Sequence, residues 1–464
     1  MKTQAGSWSC RILAAVIFLL ICLPALAQNG IVPPARDMRP YDIVAAASPA
    51  RIEATIRKLV SFGTRSTLSD TVSATRGIGA ARRWIKSEFE EISNECGGCL
   101  EVFYQRSLVK AKESRRIPVD TWVVNVIAIQ RGRTHPNRYV IMSGDIDSRP
   151  SDGSDGKTDA PGANDNASGM AGTIEAARLL TKYKFGSSIV YAGLSGEEQG
   201  LFGGTHMAKV AIEEGWDIIG VLNNDMIGNI EGIDGVIQNN SFRVFSEPTP
   251  VNESEETRRR RRFFGGEVDG PSRQLARYVD RMADAYMLNL EPMLIYRLDR
   301  FGRGGHHKPF NDLGYTAVRI METHENYTRQ HQDVRVENGI KYGDVIEGVN
   351  FDYAAKITAV DAITLAGLAW APLAPKNVKI GGAVQPSTTL VWETSEDPNL
   401  AGYKIYWRDT TAPQWQHSRY VGMTTEYTLK NIVIDNYLFG VASVGKDGSE
   451  SLVTFPSGII RRGR

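Results

Sequence analysis

The segment 188–200, SIVYAGLSGEEQG, joins a short apolar run to a glycine-flanked pair of acids. Residues 188–194 have the length and apolar character of a buried β-strand. The turn after them places Glu197 and Glu198 side by side, just beyond the end of the predicted strand. Taken alone, two such glutamates are more often solvent-facing acids at the start of a helix, so their meaning depends on what the neighbouring strand ends carry.

Further acids lie near other predicted strand and helix ends. Asp145 and Asp147 follow one predicted strand, Asp225 follows another, and Asp165 lies in the loop PGANDNASG at 161–169, before a predicted helix. The carboxyl ends of strands in an open α/β sheet converge on one crevice. Carboxylates gathered there repel one another. A divalent cation relieves that repulsion, and zinc accepts Asp, Glu and His ligands. Each acid alone is also typical of a turn or a cap, but their joint order favours a metal site.

Two patterns of secondary structure divide the chain. Helical and strand patterns alternate from about 45 to 370, which predicts an α/β domain with a mostly parallel central sheet flanked by helices. From about 374, short alternating strands separated by turns predict an all-β immunoglobulin-like sandwich. With Trp392 in an early strand and Tyr437 opening a late one, this part resembles a fibronectin type III domain. The predicted boundaries are 1–27 for a signal peptide, 28–370 for the α/β domain, 371–375 for a linker and 376–464 for the sandwich.

The first 27 residues have the plan of a secretory signal peptide. Lys2 and Arg11 supply positive charge, the apolar run 12–23 follows, and Ala-Leu-Ala precedes Gln28, the expected first residue of the mature chain. The apolar run is shorter than the roughly 20 residues that span a bilayer. We therefore expect export to the periplasm or the medium, with no integral membrane span.

Cys96 and Cys99 are the cysteines that remain after signal removal. In an oxidising compartment this Cys-Gly-Gly-Cys segment predicts a local disulfide. A thioredoxin-like redox pair is the alternative, but that motif follows a strand and opens a helix, whereas this one follows a predicted helix.

Charge and composition exclude several classes of protein. The chain of 464 residues is 42% hydrophobic and 23% charged, which argues against a disordered, collagen-like or multi-span membrane protein. The formal net charge of +1 gives no global attraction for nucleic acid, and no nucleic-acid partner is expected. The five arginines at 258–262 follow three glutamates, which favours a solvated surface segment.

Five phrases together resemble a known family. They are PGANDNASG (161–169), GEEQG (196–200), NNDMIG (223–228), GRGGHHKPFNDLG (302–314) and ENYTRQHQD (325–333). They resemble the secreted co-catalytic zinc aminopeptidases of the leucyl, aminopeptidase S and aminopeptidase Y types, to which glutaminyl cyclases and the transferrin-receptor ectodomain are related. The resemblance covers roughly 50–370. It implies the zinc-exopeptidase fold for 28–370, peptide substrates cleaved at their N-terminus, and two Zn²⁺ ions per chain.

The resemblance implies a role for each residue that matches the family pattern. Asp165 would bridge the two zinc ions, with Glu198 and His331 completing the first site. Asp225 would be a ligand of the second zinc. Glu197 would be the general base that takes a proton from the metal-bound water. Two more carboxylates, Asp147 and Asp333, are expected behind the ligands rather than on the metal.

Two residues depart from the family pattern. Asp145 stands where most members have a histidine ligand, and His306 stands where some members have an Asp before the histidine that matches His307. Asp145 would either act as a ligand in place of that histidine, or leave a single zinc at the first site, or yield its role to another histidine such as His307. We expect the first outcome, with a second site that exchanges zinc for other divalent ions.

Two alternative functions remain open. The first is a glutaminyl-cyclase-like enzyme with one zinc, and the second is a non-catalytic binding protein on the same fold. The C-terminal sandwich carries no diagnostic feature; it would serve either as a spacer or as a binding module for an unknown extracellular ligand.

Overall fold

A twisted sheet of eight strands organises most of the chain. The structure is a computed structural model that describes residues 31–460, so the predicted signal segment 1–27 lies outside the described residues. The strands are β1 (Leu100–Val109), β2 (Thr121–Gln130), β3 (His135–Asp145), β4 (Ser187–Leu194), β5 (Asp217–Asn224), β6 (Ser241–Ser246), β7 (Glu291–Ile295) and β8 (Ala317–Glu322).

The sheet order is β1-β2-β4-β3-β5-β8-β6-β7. The four central strands β4, β3, β5 and β8 are mutually parallel. Strands β1 and β2 add to one side in antiparallel fashion, whereas β6 is antiparallel to β8 and parallel to β7. The predicted α/β class with a mostly parallel sheet is therefore confirmed, and the carboxyl ends of its four central strands lie at one edge.

Helices cover both faces of the sheet. They are α1 (Arg39–Ala46), α2 (Pro49–Val60), α3 (Gly77–Glu95), α4 (Ala167–Leu180), α5 (Glu197–Gly200), α6 (Phe202–Glu213), α7 (Glu255–Phe263), α8 (Pro271–Tyr286), α9 (His307–Asp312) and α10 (Phe351–Trp370). One core forms where α2, α4, α8 and α10 pack against the first face, and a smaller core forms under α6 and α9 on the other. Helix α10 is apolar around its whole circumference because helices and the sheet surround it, and nearly all of its residues are buried.

Two local predictions can be compared with the structure. A disulfide joins Cys96 to Cys99 directly after α3, as predicted. The arginine run lies on α7, a helix without buried residues, where Glu255 pairs with Arg258 and Arg259 at 3.0 Å one turn away. These pairs follow the spacing that brings side chains together on a helix surface.

The C-terminal part forms two further sheets. Their strands are β11 (Lys376–Gly381), β12 (Thr388–Glu393), β13 (Leu400–Asp409), β14 (His417–Gly422), β15 (Glu426–Leu429), β16 (Tyr437–Gly445) and β17 (Gly458–Ile459), after a short hairpin of β9 (Arg335–Glu337) and β10 (Ile340–Tyr342). The sheet orders are β15-β12-β11-β17 and β14-β13-β16, with Trp392, Tyr403 and Phe439 buried among their side chains. A two-sheet sandwich is present as predicted, while its fibronectin type III character stays a prediction.

Buried ion pairs fasten the sandwich to the α/β part. Asp269, which is fully buried before α8, accepts hydrogen bonds from Arg277 of α8 at 2.8 Å and from Arg408 of β13 at 2.9 Å. Arg281 of α8 also contacts Glu450 at 2.7 Å. No helix within residues 31–460 has the length and apolarity needed to cross a bilayer.

We predict that Asp269→Ala destabilises the whole chain. The change leaves two buried guanidinium groups without their shared carboxylate, and breaking such a buried pair costs about 3–5 kcal/mol. Chemical denaturation should show this loss in the free energy of unfolding. Glu53→Ala, which removes an exposed helical pair with Arg57, is the control and should cost about 0.5 kcal/mol. Equal losses in the two variants would contradict the prediction.

Candidate metal centre and active site

The polar cluster lies where the central parallel strands end. Strand β3 ends at Asp145, Asp225 directly follows β5, and Glu197 and Glu198 open α5 shortly after β4. Gly196 makes the turn between β4 and α5 with a φ of 73°, a left-handed conformation that glycine adopts without steric cost. The strand order therefore brings together acids that are distant in the sequence.

The Asp165 loop is held against these strand ends. Asn166 caps α4 by accepting a hydrogen bond from the Gly169 N–H at 3.0 Å, and its Nδ2 donates to Asp145 Oδ2 and to the Asn224 carbonyl, both at 2.7 Å. Gly169 allows this approach, because a Cβ there would lie 2.2 Å from the Asn224 carbonyl oxygen. The loop is therefore tied to both β3 and β5.

A buried carboxylate fixes the other side of the same loop. Asp344 accepts hydrogen bonds from the backbone N–H groups of Asn164, at 2.8 Å, and of Asp165, at 2.6 Å. Glu322, at the end of β8, accepts from the Asn164 side chain at 2.9 Å and from the Asn229 N–H at 2.8 Å. These acceptors leave the side chain of Asp165 directed toward the cluster.

Asp165, Glu198 and His331 form a three-ligand group whose ligand atoms all lie within 4.8 Å of one another. His331 Nε2 is 3.0 Å from Asp165 Oδ2 and 3.2 Å from Glu198 Oε1. Burial would lower the pKa of His331, but Glu198 and Asp165 raise it to about 10. Burial would likewise raise the pKa of Asp165, but the hydrogen bond and charge of His331 hold it below its usual range.

This group fits a zinc ion. Two carboxylates and one imidazole are a common zinc donor set, and a fourth position stays open for water or substrate.

Asp147 orients both glutamates through their backbone. Its carboxylate accepts from the N–H groups of Glu197, at 3.3 Å, and of Glu198, at 3.1 Å. Burial and the charge of Glu198 raise the pKa of Asp147 to about 6. Burial also raises the pKa of Glu197 well above its ordinary value, with further contributions from Asp225 and Glu198.

Asp225 has a different partner from the three-ligand group. Its Oδ2 lies 2.9 Å from Nη2 of Arg319, and its backbone carbonyl accepts from Arg319 Nε at 2.8 Å. Arg319 is fully buried on β8, and its Nη1 also donates to Asp299 at 3.0 Å.

Asp145 is hydrogen-bonded to His306, with 2.6 Å between Oδ1 and Nδ1, and both side chains are buried. The neighbouring His307 points away from the cluster: its Nε2 is 3.0 Å from the Leu298 carbonyl oxygen. Asp333 also lies apart, where it accepts from the Ser151 N–H at 3.0 Å on the exposed surface.

Several residues of the site received no role from the sequence. Their signals were weak: an arginine inside an apolar strand, a histidine noted only as a departure from the family pattern, and amide or acid residues in loops or at a strand end. These residues are Arg319, His306, Asn166, Asp344 and Glu322.

Comparisons with known proteins point to one family of enzymes. The model of Peptidase family M28 matches residues 125–339, from β2 to the turn after β9. A "Probable zinc metalloprotease" of Leptosphaeria maculans is 42% identical over 428 residues, covering 92% of this chain and 99% of the relative. The chain belongs to peptidase family M28. Another "Probable zinc metalloprotease", from Pyrenophora tritici-repentis, is 39% identical over 90% of this chain and 98% of its own length.

The fold agrees with a solved structure of the LapA aminopeptidase of Legionella pneumophila, with a TM-score of 0.52 at 19% identity over 74% of this chain and 78% of that chain. Family membership confirms the predicted class, a zinc metallopeptidase among the hydrolases. The specific aminopeptidase subtype and the number of zinc ions stay predictions.

We predict that Asp147→Ala reduces activity whereas Asp333→Ala does not. Loss of the Asp147 carboxylate frees the backbone of Glu197 and Glu198, and such supporting groups are typically worth about 10–100-fold in metal affinity or activity. Asp333 contacts Ser151 and no member of the three-ligand group. The measurements are kcat/KM and zinc affinity of the two variants. An unchanged Asp147→Ala enzyme would contradict the role given to this carboxylate.

Proposed function

We propose that this chain is an exported zinc-dependent exopeptidase that removes N-terminal amino acids from peptides. The observation that carries the proposal is the position of Glu197, which directly precedes a member of the three-ligand group and shares its backbone anchor, Asp147. The placement supports a base beside the metal rather than a further ligand.

When bound, zinc would polarise the scissile carbonyl and lower the pKa of a water molecule. Asp165, Glu198 and His331 would hold the ion. Burial, with the charges of Asp225 and Glu198, raises the pKa of the Glu197 carboxyl. Glu197 would take the proton of the attacking water and pass it to the leaving amine.

The charge of the cleft supports a preference for a free N-terminus. Asp145, Asp147, Glu197 and Asp225 add four carboxyl groups around the three-ligand group, and Arg319 is the arginine paired directly with them. A cleft with this excess of acids attracts a cation. The α-ammonium group of a peptide supplies one next to the first peptide bond. LapA of Legionella pneumophila, whose fold resembles that of this chain, is an aminopeptidase, which is in keeping with this specificity.

Export of the chain belongs to the same proposal. The signal-like segment 1–27 and the Cys96–Cys99 disulfide support an oxidising destination, either periplasm or medium. Expression with the native N-terminus and Edman sequencing of the exported protein should show Gln28 as the first residue. Retention of residues 1–27 in the exported protein would contradict the cleavage site.

The test of the general base is Glu197→Gln. This variant keeps the size of the side chain and should keep zinc and the unfolding temperature, while kcat falls by at least about 10²-fold because the base is lost. Zinc content and kcat are measured on the same preparation. His331→Ala is the matched comparison and should lose zinc as well as activity. Turnover near that of the wild type in Glu197→Gln would overturn the assignment.

The test of specificity compares free and blocked N-termini. Aminoacyl-nitroanilides should be cleaved and their N-acetylated forms should not, since acetylation removes the ammonium group. A chelator should abolish cleavage and added zinc should restore it. Equal cleavage of blocked and free substrates would indicate an endopeptidase instead.

The single three-ligand group also favours a second candidate, a glutaminyl-cyclase-like enzyme with one zinc. A peptide with N-terminal glutamine distinguishes the two functions. Cyclisation releases ammonia and keeps the peptide whole, whereas exopeptidase action releases free glutamine. Absence of both products with zinc bound would favour the non-catalytic alternative.

A further inference from the structure

The acids expected at the second metal position already have protein partners. Both oxygens of Asp145 are engaged: Oδ1 is 2.6 Å from His306 Nδ1, and Oδ2 accepts from Asn166 Nδ2 at 2.7 Å. His306 is 0% exposed and Asp145 is 2% exposed, so solvent does not compete for these contacts. A metal ion bound to Asp145 would have to share the carboxylate oxygens with these two hydrogen bonds.

Asp225, the second expected ligand, faces a fixed cation. Arg319 reaches the Asp225 carboxylate through Nη2 at 2.9 Å, and its Nε and Nη1 are anchored on the Asp225 carbonyl and on Asp299. A guanidinium stays charged at every pH of interest. It therefore supplies, from the protein itself, a positive charge beside this acid.

Asp165 does not form a second three-ligand group with Asp145 and Asp225. Within residues 31–460, Asp165, Glu198 and His331 are the only set of three potential ligands whose donor atoms approach within 4.8 Å of one another. Asp145 and Asp225 thus do not complete a second site around Asp165. The described residues therefore offer one group of three donors, which fits one ion.

The two residues that depart from the family pattern, Asp145 and His306, contact each other. The sequence has Asp145 in place of a histidine and His306 in place of an aspartate, and the structure joins these two side chains directly. The acid and the imidazole thus stand in the reverse order to the family pattern and are paired with each other. Gly204 leaves room for the imidazole, because a Cβ there would lie 2.7 Å from His306 Cδ2.

We propose that this exchange removes the second metal site, so that the chain holds one zinc ion, on Asp165, Glu198 and His331. With the imidazole at 306, position 145 offers only a carboxylate that is consumed by internal hydrogen bonds, and Arg319 balances Asp225. This proposal rests on the proposed function for the first ion and replaces the expectation of two ions. Reversal of the exchange should restore an imidazole donor at position 145.

The experiment counts metal ions rather than turnover. Full-length mature protein is stripped with a chelator, then titrated with zinc by calorimetry, and its zinc content is measured by mass spectrometry after gel filtration. The wild type should hold one zinc per chain. Asp145→Ala should also hold one, since Asp145 is not a ligand. The double variant Asp145→His/His306→Asp should hold two. The single variant His306→Asp is the control, and it should hold one because it brings no imidazole to position 145.

Each outcome bears on the proposal. Two ions in the wild type, or loss of an ion in Asp145→Ala, would overturn it. If the double variant holds a single ion, the exchange of Asp145 and His306 is not what removes the second metal site. If the variants fail to fold, the wild-type count still decides between one ion and two. A wild type that holds no zinc would instead overturn the proposed function, so the two failures are distinct.

Discussion

Carboxyl groups crowded at one edge of the parallel sheet impose the constraint on which the rest of this structure depends. Asp145, Asp147, Glu198 and Asp225 are buried within a few residues of the ends of β3, β4 and β5, and Asp165, 11% exposed, lies just before α4. Buried like charges repel strongly and must be balanced by cations or by protonation. Arg319 supplies one such cation beside Asp225, and the group of Asp165, Glu198 and His331 fits a zinc ion as another.

Hydrogen bonds around the acids hold them in place despite their mutual repulsion. Asp147 holds the backbone of the two glutamates, Asp344 holds the Asp165 loop, and Asn166 links that loop to β3 and β5. Metal ligands need such support, because unsupported side chains would relax away from one another when no metal is bound. Asp147 lies just after β3 and Asn166 caps α4, so these two anchors connect the site to the sheet and to the helix that follows.

Acids are also paired with arginines at the boundary between the α/β part and the C-terminal sandwich. Asp269 sits between an arginine of α8 and an arginine of the C-terminal sandwich, and Glu450 receives Arg281 at the same boundary. Since α8 packs on the sheet and on α10, the sandwich is coupled to the scaffold of the cleft. It is therefore an integrated part of the described fold and more than a tethered appendage.

The sequence alone determined much of this protein. Apolar runs followed by acids predicted the central strands, because strand periodicity and local turns are encoded by neighbouring residues. The phrases around Asp165, Glu197 and Asp225 predicted a metallopeptidase through their resemblance to a known family. Only the tertiary structure decided which acids have which partners. The contacts of Asp145 with His306, of Asp225 with Arg319 and of Asp269 with Arg408 join residues 161, 94 and 139 positions apart. No local pattern specifies such pairs, since they arise when strand order and helix packing bring distant segments together.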